Sequence, residues 1–342
     1  MAEGKEAKKV NLKLISEMTG FSTATISNAL NRKKGVNKQT AAKIFNIAKE
    51  VGYINEDEIS KIRLIVLRKS GLIIDDTPFF PLMMDGIEKE CSTHGFEILF
   101  NLLDQQEDDY VEQVNWMLND TTSAIILLGT ELSDDDVEIF KKASCPLVTL
   151  DFWCNDMSFN GLTINNMDSS RMAVEYLIGK GHREIGYLRG SFRIKAFSER
   201  ALGYRTALHN AEIPVKSEYR ITLPTTVDGA YTKMLQYLTS NNAILPTAYF
   251  ADNDLIAMGA IRALQKMGYR IPDDISIIGF DDLPFSEIAS PPLTTVRVPK
   301  QEMGRLAVRK LIDMIDEPRS AKVRMQVCTS FIERESVKNL TQ

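Results

Sequence analysis

Small polar side chains share one face of a predicted short helix near the N-terminus. In the stretch 23–30, Ile26, Ala29 and Leu30 recur at helical spacing and form an apolar side. The side chains left to point outward are Thr23, Ala24, Thr25, Ser27 and Asn28. Hydroxyl and amide groups on so slender a helix can hydrogen-bond to base edges in the DNA major groove, which is about 12 Å wide. The chemistry predicted for this face is therefore the reading of a DNA sequence.

The residues before this helix predict the element that would position it. Leu12, Ile15 and Met18 recur every third residue, and Gly20 can adopt the positive φ with which many helices end. Ser22 is a good N-cap for the second helix. Two short helices joined by a tight turn form a helix-turn-helix. The other reading of these residues is an ordinary antiparallel pair in a helical domain.

Charge is distributed so that only the N-terminal segment favours nucleic acid. The formal net charge is −5, but residues 1–50 hold ten Lys/Arg and four Glu, so they carry +6 and the rest of the chain carries −11. A basic head on an acidic body keeps the attraction to phosphates local. The basic loop Arg32-Lys33-Lys34-Gly35 and a third helix, Lys38 to Val51, complete the predicted head.

The head resembles the headpiece of the LacI/GalR transcription regulators through the pattern x-L-x-x-I-S-x-x-T-G-x-S-x-x-T-I-S-x-x-L-N, which ends at Asn31. The match continues through Val36-Asn37, Thr40 and Val51-Gly52-Tyr53-Ile54. The resemblance implies that bases are read by Thr23, Ala24 and Asn28. It implies that phosphates are bound by Ser22, Thr25, Asn31, Asn37 and Thr40. For Ser22 and Asn37, plain helix capping is the other reading.

Asn28 departs from the Arg that the family commonly places at this position. Asparagine suits the N6 and N7 atoms of adenine, whereas arginine suits O6 and N7 of guanine. The sequence therefore predicts an operator half-site that depends less on a guanine at this position.

From residue 62 onward the chain alternates strands with helices of 10–15 residues, which predicts doubly wound parallel sheets. The predicted strands are Ile62–Leu67, Phe96–Leu102, Ser123–Leu128, Pro146–Asp151, Gly161–Asn165, Ile185–Gly190, Tyr219–Leu223, Thr247–Ala251 and Ile275–Phe280. A helix is predicted over Asp134–Lys142, and a pair of late strands over Arg324–Glu333. Two such series predict two subdomains with a cleft between them.

This body resembles the effector-binding core of the LacI/GalR family, which looks like a periplasmic sugar-binding protein. The matching motifs include Gly181-His182-Arg183, Glu199-Arg200, Asn253-Asp254 and Gly279-Phe280-Asp281-Asp282. The implied domains are a headpiece (1–54), a short linker (55–61) and a core (62–342). Within the core, one subdomain would hold residues 62–160 and 293–326, and the other 161–291 and 328–342. The chain would cross between them near Phe159-Gly161, Ser290-Leu293 and Met325-Thr329.

The resemblance also places effector-binding residues in the cleft. They are Phe79, Phe80, Asp151, Trp153, Arg193, Arg200, Asn253 and Asp281. Carboxylates and amides suit the vicinal hydroxyls of a sugar, and aromatic rings suit its C–H face. Several alternatives stay open: Phe79 as a core residue, Arg200 as a structural ion-pair partner, and Asp282 as a turn residue.

Two departures concern the linker and the C-terminus. The family's hinge helix carries a leucine that wedges into the minor groove, but Asn55 to Ser60 is short and acidic, with Ile59 as its one apolar residue. Minor-groove kinking is therefore in doubt. Only Ser336 to Gln342 follow the ERES motif, too few for a coiled coil, so we expect a homodimer on a pseudo-palindromic operator.

The sequence excludes several other classes of protein. It has no run of about 18 apolar residues and no apolar segment in MAEGKEAKKV, so neither a membrane helix nor a signal peptide is predicted. It lacks the P-loop, zinc-protease, nucleophile-elbow and dinucleotide motifs, so no enzyme and no cofactor are expected. The four cysteines are not spaced for a metal. We expect a cytoplasmic repressor controlled by a small molecule, a sugar in our interpretation. The alternatives are a corepressor (a purine, a sugar phosphate or a partner protein) and, more remotely, a sugar-binding receptor.

Overall fold

Three short helices form the N-terminal headpiece: α1 (Leu12–Thr19), α2 (Thr23–Leu30) and α3 (Lys38–Glu50). The structure, a computed structural model, describes residues 11–30, 36–51, 53, 59–73, 77–240 and 243–341. Ile15, Ile26 and Ile44 are fully buried and join the three helices in one small core. The predicted helical headpiece is confirmed.

Eight further helices belong to the core: α4 (Phe79–His94), α5 (Tyr110–Leu118), α6 (Asn166–Gly179), α7 (Lys195–Asn210), α8 (Val227–Leu238), α9 (Asp254–Lys266), α10 (Pro284–Ile288) and α11 (Lys300–Asp316), among the described residues. The strands described are β1 (Lys61–Arg68), β2 (Glu97–Asp104), β3 (Ser123–Leu128), β4 (Leu147–Leu150), β5 (Asn160–Ile164), β6 (Ile185–Gly190), β7 (Arg220–Leu223), β8 (Ala248–Ala251), β9 (Ser276–Ile278), β10 (Thr295–Arg297), β11 (Arg324–Val327) and β12 (Ser330–Ile332).

Two parallel sheets organise the core. The first has the strand order β11-β5-β4-β3-β1-β2, and the second has the order β7-β6-β8-β9. Every residue of β3 is buried, as are the six central residues of β1, because helices cover both faces of the sheet. A two-stranded antiparallel sheet of β10 and β12 stands apart from both. The predicted pair of doubly wound subdomains is confirmed.

The subdomain boundaries differ from the predicted ones at two crossings. β5 pairs with β4 in the first sheet, so the chain leaves that sheet after Ile164 and not at Phe159-Gly161. Thr294 still pairs with Ile278 of the second sheet, and α11 then packs against α4, so the second crossing follows Arg297 and not Ser290-Leu293. At the first crossing β5 extends the sheet that it leaves, and at the second crossing isolated bridges join Thr294 to Ile278 and Arg297 to Asp281. Helix-period and strand-period patterns do not encode such pairings.

Two predicted elements were wrong in detail. The helix predicted over Asp134–Lys142 is a series of turns that ends in a 3-10 helix, Glu138–Lys142. Asp136 accepts hydrogen bonds from the backbone N–H and the hydroxyl of Ser133, and such local side-chain bonds compete with a helix. The two late strands do not pair with each other: β11 pairs with β5, and β12 pairs with β10.

The predicted linker, residues 55–61, falls mostly outside the described residues, which omit 54–58. Ile59 is partly buried and packs against the main core cluster, and the Ser60 N–H donates to the Thr122 carbonyl at 3.1 Å. Ile59 therefore covers the core in this structure and does not stand free as a wedge for the minor groove.

Close packing of α4 against α11 depends on two glycines. A Cβ atom on Gly86 would overlap the backbone oxygen of Gln301, and one on Gly304 would overlap that of Met83. We expect Gly86→Ala to lower the free energy of unfolding by about 2 kcal/mol or more, because backbone cannot yield as a side chain can. Chemical denaturation checks this. Gly179→Ala is the matched control, since Gly179 has open space around it and should be unaffected or slightly stabilised. Equal stability of the two variants would contradict the prediction.

Within the described residues, no helix is long and apolar enough to cross a membrane. The same residues contain no group of three or more His, Cys, Asp or Glu placed to hold a metal ion. Cys91, Cys145 and Cys154 are buried, and Cys328 is exposed.

Candidate functional site

The headpiece exposes the residues predicted to read DNA. Thr23, Ala24 and Asn28 are exposed on α2, whereas Ile26 and Ala29 are buried on its opposite side. The polar face is thus free to enter a groove while the apolar face anchors the helix to the headpiece core.

The turn between α1 and α2 is fixed by several hydrogen bonds. Gly20 ends α1 at φ 77°, and its N–H donates to the Ser16 carbonyl. The Thr19 hydroxyl donates to the Ile15 carbonyl at 2.7 Å, and the Ser16 hydroxyl donates to the Phe21 carbonyl at 2.6 Å. These bonds set the direction in which α2 leaves the turn.

The residues predicted to bind phosphate lie at two helix N-termini. Ser22 Oγ accepts a hydrogen bond from the Thr25 N–H at 3.1 Å, and Asn37 Oδ1 accepts one from the Thr40 N–H at 2.8 Å. Both residues therefore cap their helices. Both are also exposed, and an exposed helix N-terminus is suited to phosphate, so capping does not exclude the predicted role. Asn31 lies outside the described residues.

A cavity lies between the two large sheets, at the carboxyl ends of their strands. Strand order reverses between β1 and β3 in one sheet and between β6 and β8 in the other, and ligands of doubly wound folds bind at such points. Six predicted effector-binding residues line the cavity: Phe79, Phe80, Asp151, Arg200, Asn253 and Asp281.

Contacts across the cleft hold the two subdomains together. The Thr225 hydroxyl donates to the Leu72 carbonyl at 2.6 Å, and Lys195 Nζ lies 3.1 Å from an oxygen of Asp134. Ile73 packs against Phe197 and its neighbours on α7. The free volume left in the cavity is only about 40 Å³. The cleft is therefore nearly closed in this structure and has too little free volume for a sugar.

Asp281 and Arg200 form the charged centre of the cavity. Arg200 NH2 lies 3.3 Å from Asp281 Oδ1, and the Arg200 guanidinium also donates to Asn166 and to the Asp252 carbonyl. The Arg200 guanidinium carbon lies 3.7 Å from the ring centre of Phe280. Arg200 is thus a structural ion-pair partner and a cavity residue at once.

Asp281 Oδ1 is buried, and the only charged group in contact with it among the described residues is Arg200, 3.3 Å away, at a distance longer than a typical charge-assisted hydrogen bond. Burial raises the pKa of Asp281, an effect opposed by the positive charges of Arg200 and Lys300. Asp281 also has a φ of 111°, a left-handed conformation that non-glycine residues rarely adopt and that is found most often at functional sites.

Asp151 faces the cavity from the other subdomain. It follows β4 at a φ of 58°, and its carboxylate accepts a hydrogen bond from the Thr130 hydroxyl at 2.7 Å. Desolvation raises the pKa of Asp151 to about 6, and the negative charge of Asp281 adds to this, while Arg200 opposes it.

Asn253 and the two phenylalanines complete the lining. Asn253 caps α9 by accepting from the Ile256 N–H at 3.0 Å, which leaves its amide nitrogen available as a donor. The rings of Phe79 and Phe80 pack edge to face, 5.2 Å apart, and are 8% and 6% exposed. Phe79 is both a core residue and part of the cavity wall.

Two predicted effector-binding residues do not line the cavity. The Trp153 ring contacts the cations of Arg324 and Lys195, at 3.9 and 4.7 Å from its centre. Arg193 is ion-paired with the buried Asp252 and faces away from the cleft. Asp282, left open as a turn residue, pairs with Arg297 and Arg334 and lies outside the lining too.

Sequence reasoning did not single out several lining residues, namely Leu72, Ile73, Thr77, Thr130, Ile194, Ala196, Phe197, Thr225 and Leu255. Most follow the carboxyl ends of predicted strands, so the rule that ligands bind there would have found Thr130 and Thr225. The apolar members carry no comparable signal.

The pKa of Asp151 predicts how ligand affinity depends on pH. A ligand hydroxyl donates most strongly to an ionised carboxylate. Below about pH 6 the Asp151 carboxyl is protonated, so a ligand that bonds to it must first displace that proton, which weakens binding. We expect affinity to rise between about pH 5 and about pH 7. The contribution of Asp151 to folding stability changes in the opposite direction. Because its pKa is higher in the folded chain, the folded state holds an extra proton at low pH, and the stabilisation from this proton is lost as the pH rises through about 6. Calorimetric titration across this range checks the ligand effect, and Asp151→Asn should flatten the profile. An equally steep profile in that variant would exclude Asp151.

Comparison with known proteins places the whole chain among regulators. The family model described as a periplasmic binding protein-like domain matches residues 174–337. The ribose operon repressor of Haemophilus influenzae is 28% identical, covering 96% of this chain and 99% of its own length. The PurR transcriptional repressor of Mannheimia succiniciproducens is 26% identical with the same coverage. A solved complex of the transcriptional regulator CelR with cellobiose has a TM-score of 0.72 at 26% identity, covering 96% of this chain and 100% of its own.

A helix-turn-helix headpiece joined to a two-subdomain core with a closed cleft defines a DNA-binding transcription regulator with a ligand-binding core. The matches extend through the headpiece as well as the core. In sequence and in fold the chain is similar to transcription regulators of the LacI family.

Proposed function

We propose that this regulator is a repressor that binds its operator as a homodimer and binds a sugar in the cleft. The observation that carries the proposal is the buried Asp281 oxygen, beside Arg200 and within the same cavity as Asp151 and Asn253. A hydroxyl of a sugar would supply a short hydrogen bond that the ion pair with Arg200 does not, and a hydrogen bond to a charged group contributes about 1.5–3 kcal/mol.

The remaining lining suits a sugar in both character and arrangement. Two carboxylates and an amide face each other from different subdomains, as vicinal hydroxyls require. Phe79 and Phe80 offer an apolar wall to the C–H groups. Because the cavity is nearly filled when closed, binding would change the angle between the subdomains and with it the spacing of two headpieces.

A second copy of the chain is the partner that we assign to the outer edge of the first sheet. Phe100 and Leu102 are each 52% exposed on the edge strand β2, and Trp116 is 64% exposed on α5. Phe100 and Trp116 line one surface groove. An apolar edge strand of this kind is an aggregation hazard unless it is covered, and pairing two copies covers it symmetrically.

Two-fold symmetry of such a dimer would match a pseudo-palindromic operator with half-sites about one helical turn apart. Asn28 is exposed where it can reach a base, which supports the predicted weaker dependence on guanine. Selection of binding sites from random DNA would test this; a strict guanine requirement at that position would contradict it. The proposed protein acts by binding and not by catalysis, and it acts in the cytoplasm.

The ligand class can be tested by thermal unfolding of the full chain with pentoses, hexoses, sugar phosphates and purines. A ligand present at about 100 times its Kd adds roughly 2.7 kcal/mol to the free energy of unfolding. We expect a sugar to give such a shift and to weaken operator binding. A purine that stabilises the chain and strengthens operator binding would instead identify a corepressor-dependent regulator. Stabilisation by none of these compounds would overturn the proposed sugar.

A further inference from the structure

A second cavity lies on the outer side of α7 and is strongly cationic. Its volume of about 380 Å³ falls within the range of small-molecule pockets, about 300–1,000 Å³. The cationic side chains that line it are Arg189, Arg193, Arg205, Lys216 and Arg220. No carboxylate belongs to the lining that the described part of the chain forms. This is unexpected in a body that carries −11 overall.

The fold brings these cations together from three elements. In the pairing of β6 with β7, Tyr187 lies opposite Arg220 and Arg189 lies opposite Thr222. Residues directly opposite in a sheet share a face, so Arg220 lies on the face of Tyr187. Arg189 is two residues after Tyr187 on β6 and lies on that face too. Arg189 and Arg220 therefore point to the same side of the sheet. α7 covers that side and contributes Arg205.

Three guanidinium groups in this pocket have no ion-pair partner in the described part of the chain. Arg193 is paired with Asp252, and Lys216 with Glu184. Among the residues that the structure describes, Arg189, Arg205 and Arg220 form no hydrogen bond or ion pair through their side chains. Arg189 lies on β6, an interior strand, and is only partly exposed, so its charge is less screened by solvent than the charges of Arg205 and Arg220, which are exposed.

The pocket is separate from the cleft because α7 presents different faces to the two. Phe197 and Arg200 face the cleft, whereas Ser198, Ala201 and Arg205 face the outer pocket. The buried Asp252 separates them: it accepts hydrogen bonds from the Gly190 N–H at 2.7 Å and from Arg193 on the outer side.

We propose that this outer pocket binds a small anion that carries a phosphate group. Guanidinium groups match phosphate oxygens in charge and in forked geometry. Several of them around one cavity carry more positive charge than a single carboxylate would balance, so a phosphate fits the pocket better. The stacked rings of Tyr187 and Tyr204, 5.1 Å apart, and the side chain of Ala201 give the pocket an apolar wall suited to an organic body. The site goes beyond the proposed sugar site in the cleft and does not depend on it.

Calorimetric titration of the full chain at low salt tests the proposal with inorganic phosphate, glycerol 1-phosphate and neutral glycerol. The informative variant is Arg189→Gln with Arg220→Gln, which removes two cations that have no partner. The matched control is Arg262→Gln with Arg270→Gln, which removes the same charge from exposed sites of the same subdomain, where ion pairs add little stability.

We expect both phosphates but not glycerol to bind, and the pocket variant to bind them at least about ten-fold more weakly than the control. Tighter binding of the ester than of inorganic phosphate would assign the site to an organic phosphate, and the reverse order to the free ion. Absence of binding at about 10 mM of either, or equal binding by both variants, would overturn the proposal. Operator binding and the thermal response to sugars should be the same in both variants, so failure here is distinguishable from failure of the cleft proposal.

Discussion

Replacing Asp281 with asparagine is expected to weaken the binding of the cleft ligand by about 10- to 100-fold, because a hydrogen bond to a charged group contributes about 1.5–3 kcal/mol. Asparagine keeps the shape of the side chain but replaces one carboxylate oxygen with an amide that cannot accept. Calorimetric titration with the sugar found by the thermal screen measures the loss.

Folding should survive this change. Burial already raises the pKa of Asp281, which means that its charge is costly in the folded state, and a neutral side chain avoids that cost. Arg200 keeps its hydrogen bonds to Asn166 and to the Asp252 carbonyl. We therefore expect operator binding without ligand to be unchanged and the response to ligand to be lost at concentrations that act on the parent chain.

Asp273→Asn is the matched control, since Asp273 is exposed on the surface of the same subdomain and, within the described part of the chain, its carboxylate makes only long contacts with Arg270 and Lys338, both 3.7 Å. It should bind ligand and operator normally. Parent-like ligand affinity in Asp281→Asn would show that the buried oxygen is not what the ligand contacts.

Replacing Ala24 with glutamate is expected to weaken operator binding by about 100-fold or more, because like charges brought together in an interface cost several kcal/mol. Ala24 is exposed at the start of α2, where the new carboxylate would meet phosphates and base acceptors. Ile26 and Ala29, which hold α2 to the headpiece core, are untouched. Titration of a labelled operator measures the effect.

Asn46→Glu supplies the control for this prediction. It adds the same charge to the same headpiece at an exposed position of α3, and it leaves the buried Ile44 and Ala48 of that helix unchanged. Ligand binding by the core should be unaffected in both variants. Equal loss of operator binding in both would mean that overall headpiece charge, and not the face of α2, controls affinity.

The sequence by itself determined the order of elements and the general place of both sites. Helical spacing in α2 separated buried Ile26 and Ala29 from exposed Thr23, Ala24 and Asn28, because a period of 3.6 residues assigns faces without reference to the rest of the chain. Strand ends were equally informative: Asp151 follows β4 and Asn253 follows β8, and parallel strands bring their carboxyl ends to one edge.

The tertiary structure alone decided what those faces meet. The spacing of Arg193 and Arg200 could not show that Arg200 turns into the cleft toward Asp281 while Arg193 pairs with Asp252 on the outer side. The first depends on how α7 is rotated over its sheet, and the second on the path of the chain that leads into α7. Likewise, no local period shows that β5 pairs with β4 and so belongs to the first sheet rather than to the second subdomain. Local spacing fixes which side chains share a face, but packing between distant segments fixes the partner, and with it the closed cleft and the unpaired cations of the outer pocket.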